Sequence, residues 1–323
     1  MTDMAELRRL GATEIRVSPV GLGCWQFSGG RGLIGGYWEA LSRDRIREIV
    51  ATSLAGGVNW FDTAEAYGGG VSEESLSAAL RALGKQPGEV VVATKWWPVL
   101  RTAGSITRTI DERLERLGGG PIDLHQIHNP FSLSRIPAEM AAMAELVEEG
   151  KIRAVGVSNY STGMMRRAHR ALARRGIPLA SNQVHYSLLH RKADRSGLIQ
   201  AAKELQVSII AYSPLAQGIL TGRHHEDPGL IRSRPGPRKR MPAFRPRGLE
   251  RSRPLVEALR EIGGVHGATP AQVALSWLLG FHGETVLVIP GASRPDQVEE
   301  NLGALRVTLG EEEMDRLDRL SRP

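Results

Sequence analysis

Four ionisable side chains pose the chemical question in this sequence: Asp62, Tyr67, Lys95 and His128. Asp62 closes the apolar stretch around Val58, Trp60 and Phe61, and Tyr67 follows five residues on, just before Gly68-Gly69-Gly70. Lys95 ends the run Val90-Val91-Val92-Ala93-Thr94, and His128 ends Ile122-Asp123-Leu124-His125-Gln126-Ile127. A carboxylate at the end of a buried strand costs free energy unless it is paired, and a lysine is a suitable partner. A free phenol, with a pKa of about 10, is a poor acid at neutral pH. A nearby ammonium favours the phenolate and lowers that value. A histidine beside the same oxygen can hydrogen-bond a carbonyl. The set suits proton transfer to an oxygen while something else attacks carbon. It lacks a nucleophile with its base, and no H-x-H pair stands at a strand end for a metal-dependent hydrolase, so no metal is expected.

These residues need elements to hold them. Arg8–Gly11 and Glu14–Val17 flank a turn and read as a small hairpin. Apolar runs then alternate with helical patterns about eight times, their polar ends falling at Asp62, Lys95, His128, Ser158, Gln183 and Ser213. The gaps are 33, 33, 30, 25 and 30 residues, near the ~30 residues of a βαβ unit. Buried parallel strands read as near-continuous apolar runs, as these do. The spacing predicts a (β/α)8 barrel with an N-terminal hairpin and extra helices near the C-terminus, whose catalytic groups sit at the carboxyl ends of strands. An open doubly wound sheet would want G-x-G-x-x-G after its first strand, but Gln26 stands where the third glycine belongs after Gly21-Leu22-Gly23. Gly29–Gly36 reads as a glycine-rich loop, and helices are expected to start at Ser72 and at Pro254.

Residues 1–323 suit one large α/β barrel, and hydrophobic (41%) and charged (24%) contents are ordinary for a globular protein. No apolar run approaches a membrane span, residues 1–6 carry no signal-peptide core, and the lone Cys24 permits no internal disulfide. A cytoplasmic protein with no membrane association is therefore expected. The net charge is +7, and residues 223–254 alone hold ten Arg or Lys against three acids. The basicity is thus one local feature, which argues against a general nucleic-acid surface. The segment reads either as a solvated, mobile loop or as a lid drawn to cofactor phosphates. Binding of nucleic acid is disfavoured, since Phe244 is its sole interleaved aromatic residue.

The motifs together resemble those of the aldo-keto reductases. The matching stretches are Trp60-Phe61-Asp62-Thr63-Ala64-x-x-Tyr67-Gly68, Ala93-Thr94-Lys95, Asp123-Leu124-His125-Gln126-Ile127-His128 and the run Gly150–Asn159. Tyr212–Gly218, Ile289–Ser293 and Glu300-Asn301 continue the series, so the likeness runs from about Leu10 to Leu320. The resemblance implies hydride transfer between NADPH and an aldehyde or ketone, with the family's tetrad on Asp62, Tyr67, Lys95 and His128. It makes Tyr67 the general acid, Lys95 the group that lowers its pKa, Asp62 the anchor of Lys95, and His128 the residue orienting the carbonyl. It places Ser158, Asn159 and Gln183 at the carboxamide and the ring of Tyr212 on the nicotinamide. Ser213, Leu215 and Gly218 would line the pyrophosphate. Gly291, Ser293, Gln297, Glu300 and Asn301 would meet the 2′-phosphate and adenine, with NADH the lesser cofactor. Many members carry Lys in place of Gly291 and Arg in place of Gln297; here Arg294 and the basic segment are the remaining cations. Asn129 replaces a common tryptophan and implies a more polar pocket. A cofactor-sensing subunit of a membrane channel is the alternative of different class.

Other residues invite plainer readings. His125 is expected to be structural, because strand alternation turns it away from His128. Cys24 and Trp25 are expected to line the cofactor pocket. One of the pair Trp96 and Trp97 should face it, and Trp96 is assigned there, against the substrate with Trp25 and Asn129. His224-His225 reads as a solvated loop pair.

Overall fold

The computed structural model describes residues 6–30, 36–232 and 237–322. Residues 31–35 of the glycine-rich loop and 233–236 of the basic segment lie outside that description. A hairpin of β1 (Arg8–Arg9) and β2 (Arg16–Val17) precedes an eight-stranded parallel sheet. Its strands follow sequence order: β3 (Leu22–Gly23), β4 (Trp60–Asp62), β5 (Val91–Trp96), β6 (Ile122–Ile127), β7 (Ile152–Ser158), β8 (Leu179–His185), β9 (Ser208–Tyr212) and β10 (Val286–Ile289). First and last strands meet through parallel bridges Val20–Val288 and Gly23–Gly291. Gly21 N donates to Val288 O at 2.9 Å and Gly23 N to Pro290 O at 3.2 Å, which draws the sheet into a barrel. The seam explains one glycine: a Cβ on Gly23 would lie 2.8 Å from Ile289 O, so a side chain there would force the edges apart.

The barrel interior is built in layers two residues apart, because strand side chains alternate. Trp60, Ala93, Leu124, Ala154, Ala180, Ile210 and Leu287 form the lower cluster, and Leu10, Ile15 and Val17 of the hairpin region join it. Trp60 Nε1 donates to Ser18 O at 2.8 Å, tying that floor to the wall. Two residues further along the strands come Asp62, Lys95, Gln126 and Tyr212, and two beyond Gln126 comes His128. β8 is out of phase: Val155 pairs with Leu179 but Gly156 with Ser181, so Ala180 is an extra residue. Such a bulge re-aims the side chains beyond it, and Gln183 reaches the upper layer instead of Asn182.

Helices shield the outer face of the sheet, and several starts are set by capping. Ser42 accepts from Arg45 N, Ser161 from Met164 N, and Thr269 forms a capping box with Gln272. Two expected starts move. The helix after Tyr67 spans Val71–Ala82 behind Gly70, whose φ is 97°. Ser72 is no cap: its hydroxyl donates to Cys24 O at 2.7 Å and accepts from Thr63 Oγ1 at 2.8 Å. The helix expected from Pro254 spans Pro246–His266, with Pro246 in its first turn and Pro254 inside it. Leu249, Leu255, Val256, Leu259 and Ile262 bury its apolar stripe, which carries it past the proline.

The basic segment is not a bare solvated loop: its described part holds short helical turns at Arg223–Glu226, Pro228–Ile231, Pro237–Arg240 and Pro242–Phe244. Ile219, Ile231 and Phe244 form a small apolar cluster beneath it. His224 and His225 are buried, against the expectation of a solvated pair; His224 stands edge-on to Phe244 at 5.0 Å between ring centroids.

Candidate active site

At the carboxyl ends of the strands the upper layer opens into a cleft of about 570 Å³, within the usual range for small-molecule sites. Asp62, Tyr67 and His128 line it, and Lys95 lies fully buried just behind. Lys95 Nζ donates to Asp62 Oδ1, to Thr63 O at 2.8 Å and to Tyr67 Oη at 3.4 Å. Asp62 Oδ2 accepts from Gln126 Nε2 at 3.1 Å and Gln183 Nε2 at 2.8 Å. The buried carboxylate is therefore paired and hydrogen-bonded on both oxygens, which is what its burial demands. The Tyr67 and His128 rings stand edge to face with centroids 5.6 Å apart.

Electrostatics sorts the protons. Burial raises the Tyr67 phenol above its ordinary value; Lys95 pulls it down, and Asp62 pushes it up again. The lysine thus offsets desolvation without overcoming it, and the phenol keeps its proton in the resting site. Burial alone would lower Lys95, but Asp62 and Tyr67 together outweigh it and hold the ammonium above its ordinary range. Burial, and then the charge of Lys95, drive His128 well below the usual imidazole value. A neutral imidazole, a charged lysine and a protonated phenol converge on one cavity wall.

Every other residue expected at a cofactor lines the same cleft: Cys24, Trp25, Ser158, Asn159, Gln183, Tyr212, Ser213, Leu215, Gly218, Gly291, Ser293, Gln297, Glu300 and Asn301. Asn159 adopts a left-handed backbone at φ 61° that asparagine tolerates, and both ends of its amide are hydrogen-bonded. Its Nδ2 donates to Ser158 Oγ at 3.1 Å and to His128 O at 3.3 Å, while Tyr212 Oη donates to Oδ1 at 3.0 Å. At the far end Gln297 Oε1 accepts from Ser293 N at 2.8 Å. Arg294 pairs with Asp296, and Arg223 stands 3.5 Å from Glu300. A Cβ on Gly291 would meet the Gln26 amide at 2.3 Å, so that amide fills the space a side chain would take.

Two expected substrate residues lie elsewhere. Trp96 is core: it is buried, and its Nε1 donates to Ser105 Oγ at 3.1 Å in the helix layer. Trp97 lines the cleft instead, edge-on to His128 at 5.1 Å. Alternation carried the signal, since a residue two beyond the inward Lys95 returns to the inner side. Asn129 does not line the cleft; its Oδ1 accepts from Phe131 N at 3.1 Å and shapes the following turn. Trp38 is unexpected in the wall, while Gln217 and Arg238, which also line it, are expected only as parts of the Tyr212–Gly218 stretch and of the basic segment. Tyr37 Oη donates to Gln217 Oε1 at 2.9 Å, and the Arg238 guanidinium lies 4.1 Å from the Trp38 ring centre. No local motif pairs these residues with one another, because loops far apart in sequence make the contacts. Among the described residues, no group of three or more His, Cys, Asp or Glu is arranged to hold a metal ion, and no helix is long and apolar enough to cross a membrane.

Known proteins share both chain and shape. An uncharacterized oxidoreductase of Mycobacterium tuberculosis is 41% identical over 302 residues, covering 94% of this chain and 88% of its own. The chloroplastic pyridoxal reductase of Arabidopsis thaliana is 34% identical over 317 residues, covering 94% and 83%. A thermostable aldo-keto reductase solved with the inhibitor epalrestat superimposes with a TM-score of 0.78 at 30% identity, over 98% of this chain and 99% of that one. A glycerol dehydrogenase of Gluconobacter oxydans does so with a TM-score of 0.82 at 26% identity, over 99% and 95%. The model of the Aldo/keto reductase family matches residues 19–322, and with that fold and those relatives the chain belongs to the aldo/keto reductase family of oxidoreductases.

Proposed function

We propose that this protein interconverts small aldehydes, ketones or sugars and their alcohols, using NADP(H), with Tyr67 as the proton donor. The contact that carries this reading is the buried Lys95 ammonium, held by Asp62 and placed 3.4 Å from the Tyr67 hydroxyl on the cleft wall. When bound, the nicotinamide supplies or accepts the hydride. Tyr67 gives its Oη proton to the substrate oxygen, and Lys95 stabilises the phenolate left behind. Asp62 keeps Lys95 charged and aimed, and Gln126 and Gln183 keep Asp62 from turning. His128, being neutral, can hydrogen-bond the carbonyl oxygen without adding a charge beside Lys95.

The cleft suits such a cofactor by the chemistry of its ends. Ser158, Asn159 and Gln183 offer amide and hydroxyl groups near the tetrad, and Tyr212 offers a flat ring. At the other end are Arg223 and Arg294, with the start of the Pro295–Gly303 helix, which favour phosphate, and Arg238 lines the wall over Trp38. Arg223 and Arg294 stand in exposed pairs with acids, worth little and readily exchanged for a phosphate. That supports NADPH over NADH, and supports the basic segment as a cover for the phosphates. The names of two relatives, pyridoxal reductase and glycerol dehydrogenase, fit carbonyl–alcohol chemistry on small polar molecules.

The test is titration with NADPH and with NADH, followed by nicotinamide fluorescence, then turnover on an aldehyde, ketone and sugar panel. Tighter binding of NADPH and NADPH-dependent reduction of at least one carbonyl are expected. Equal affinity for the two cofactors would remove the 2′-phosphate from the reading. Binding without turnover on any of the panel would remove the enzyme.

A further inference from the structure

Tyr212 is backed by rings on the side away from the cleft. It ends β9 opposite His185 of β8, with which it is paired in register. Parallel neighbours at one level point the same way, and the two rings stack with centroids 5.3 Å apart and planes 11° apart. The chain then folds back at once: Ser187 and His190 form a short antiparallel bridge, with His190 N donating to Ser187 O at 2.9 Å. That turn lays His190 over the other face of His185, at 4.0 Å and 14°. Three flat rings thus run from the half-exposed His190 inward to Tyr212, and only Tyr212 reaches the cleft. His185 Nε2 has no hydrogen-bond partner among the described residues, so its plane is set by its two faces. Tyr212 is fixed at its other end by the bond from its hydroxyl to Asn159.

We infer that His185 and His190 are positioning residues for the nicotinamide end of the cofactor, forming a rigid backing that sets the plane of Tyr212. This rests on the proposed reading that Tyr212 stacks on the nicotinamide. The pair touches neither cofactor nor substrate and acts through Tyr212 alone. The chemistry of the stack fits. Burial, and then His190, hold His185 down at about 4. Burial, with Lys192 and Arg195, lowers His190 as well. Both imidazoles are neutral at ordinary pH, so they stiffen the ring without adding charge behind a cofactor whose oxidised ring is cationic. Offset stacking of such rings is geometrically selective, which a flexible aliphatic side chain would not reproduce.

The experiment compares two ligands on His185→Ala, His185→Phe, His190→Ala and Tyr212→Ala. NADPH, followed by nicotinamide fluorescence, reads the whole cofactor. Adenosine 2′,5′-bisphosphate, followed by calorimetry, reads only the adenine half. His185→Ala is expected to weaken NADPH by about tenfold and leave the bisphosphate unchanged. His185→Phe restores NADPH binding, and His190→Ala weakens it by less than His185→Ala. If Tyr212→Ala weakens NADPH and His185→Ala does not, the backing role is overturned while the stacking reading stands. If Tyr212→Ala leaves NADPH binding intact, the stacking reading falls and the inference with it. Equal weakening of both ligands by His185→Ala would mean general damage, and also overturns the role.

Discussion

Two clusters of buried charge lie on opposite sides of β5, one residue apart. Lys95 points into the barrel, towards Asp62, Tyr67 and His128. Thr94 points out to the helix layer, where its hydroxyl donates to Glu73 Oε1 at 2.6 Å. Around it sit Glu65, Arg101, Arg113 and Arg116. Glu65 accepts from Arg101 Nη1 at 2.6 Å, from Arg113 and from the backbone N–H of Trp97. Both clusters pair acids with bases, the inner one removed from water and the outer one half-buried at Arg101 and Arg116, and both flank the loop that carries Tyr67. They differ in what they face. Glu65 holds three donors and, like Glu73, does not line the cleft, so it can only hold. Inside the barrel the Tyr67 hydroxyl has one long contact and faces a cavity, and His128 Nδ1 has no partner among the described residues. A hydroxyl open to the cleft beside a charged lysine makes one cluster chemical; the other is walled off from the cleft and mechanical.

The largest effect should follow from removing the inner oxygen. Tyr67→Phe is expected to lower kcat by about 10²–10⁴-fold, the usual worth of a positioned proton donor. NADPH affinity should hold, because the rest of the cleft is untouched. Steady-state rates with a fluorescence titration check both. Turnover close to that of the parent would assign the proton to another group. Next comes Lys95→Met, which leaves the Asp62 carboxylate buried without its cation. Breaking a buried pair from one side costs about 3–5 kcal/mol, read as a lower urea midpoint. If stability is unchanged, the Gln126 and Gln183 amides suffice to hold Asp62, and the pair serves chemistry alone.

How much of this contrast is legible in the sequence depends on the range of the interaction. The barrel and the tetrad follow from period: polar ends at near-constant spacing, and a two-residue alternation that carries Ala93 to Lys95 and Leu124 to Gln126. Alternation also separates Trp96 from Trp97 when it is carried one residue past the strand. It fails on β8, where the extra Ala180 resets the phase and no residue type announces it. The outer cluster is illegible for another reason. Glu65 and Arg101 stand in two loops and Arg113 on a helix, and a lone acid or arginine reads as solvated until its neighbour is known. The burial of His224 and His225 escapes the sequence likewise, because an apolar cluster beneath an arginine-rich stretch leaves little trace in composition.

The outer cluster should show its character in stability. Burial raises the Glu73 carboxyl to about 7, against the opposing pull of the Thr94 hydroxyl and of Arg113 and Arg116. A carboxyl raised on folding binds its proton more tightly in the native state. Stability therefore falls as pH rises from the unfolded value near 4.5 towards 7 and is flat above. Glu73→Gln keeps an oxygen for Thr94 and cannot ionise. It should match the parent near pH 5 and exceed it at pH 8, by at most roughly 3 kcal/mol. Denaturation at the two pH values measures this; a variant weaker at both would mean that Glu73 works as an anion.

The smallest effect gives the sharpest distinction. Glu65→Gln keeps one acceptor oxygen for Trp97 N or Arg101 and loses the charge shared with Arg113. A loss of about 1–2 kcal/mol is expected, the scale of a hydrogen bond to a charged group partly retained. Because Glu65 sits two residues before Tyr67 and fixes the backbone of Trp97, the loop that presents the phenol should loosen. Loosening raises KM and lowers kcat by a common factor at every pH, since no titrating group of the inner set has changed its surroundings. A displaced pH profile for kcat would be a different matter. It would mean that the charge of Glu65 is felt at the Tyr67 oxygen through the wall of the barrel, and the two clusters would then be one electrostatic unit with β5 as its middle.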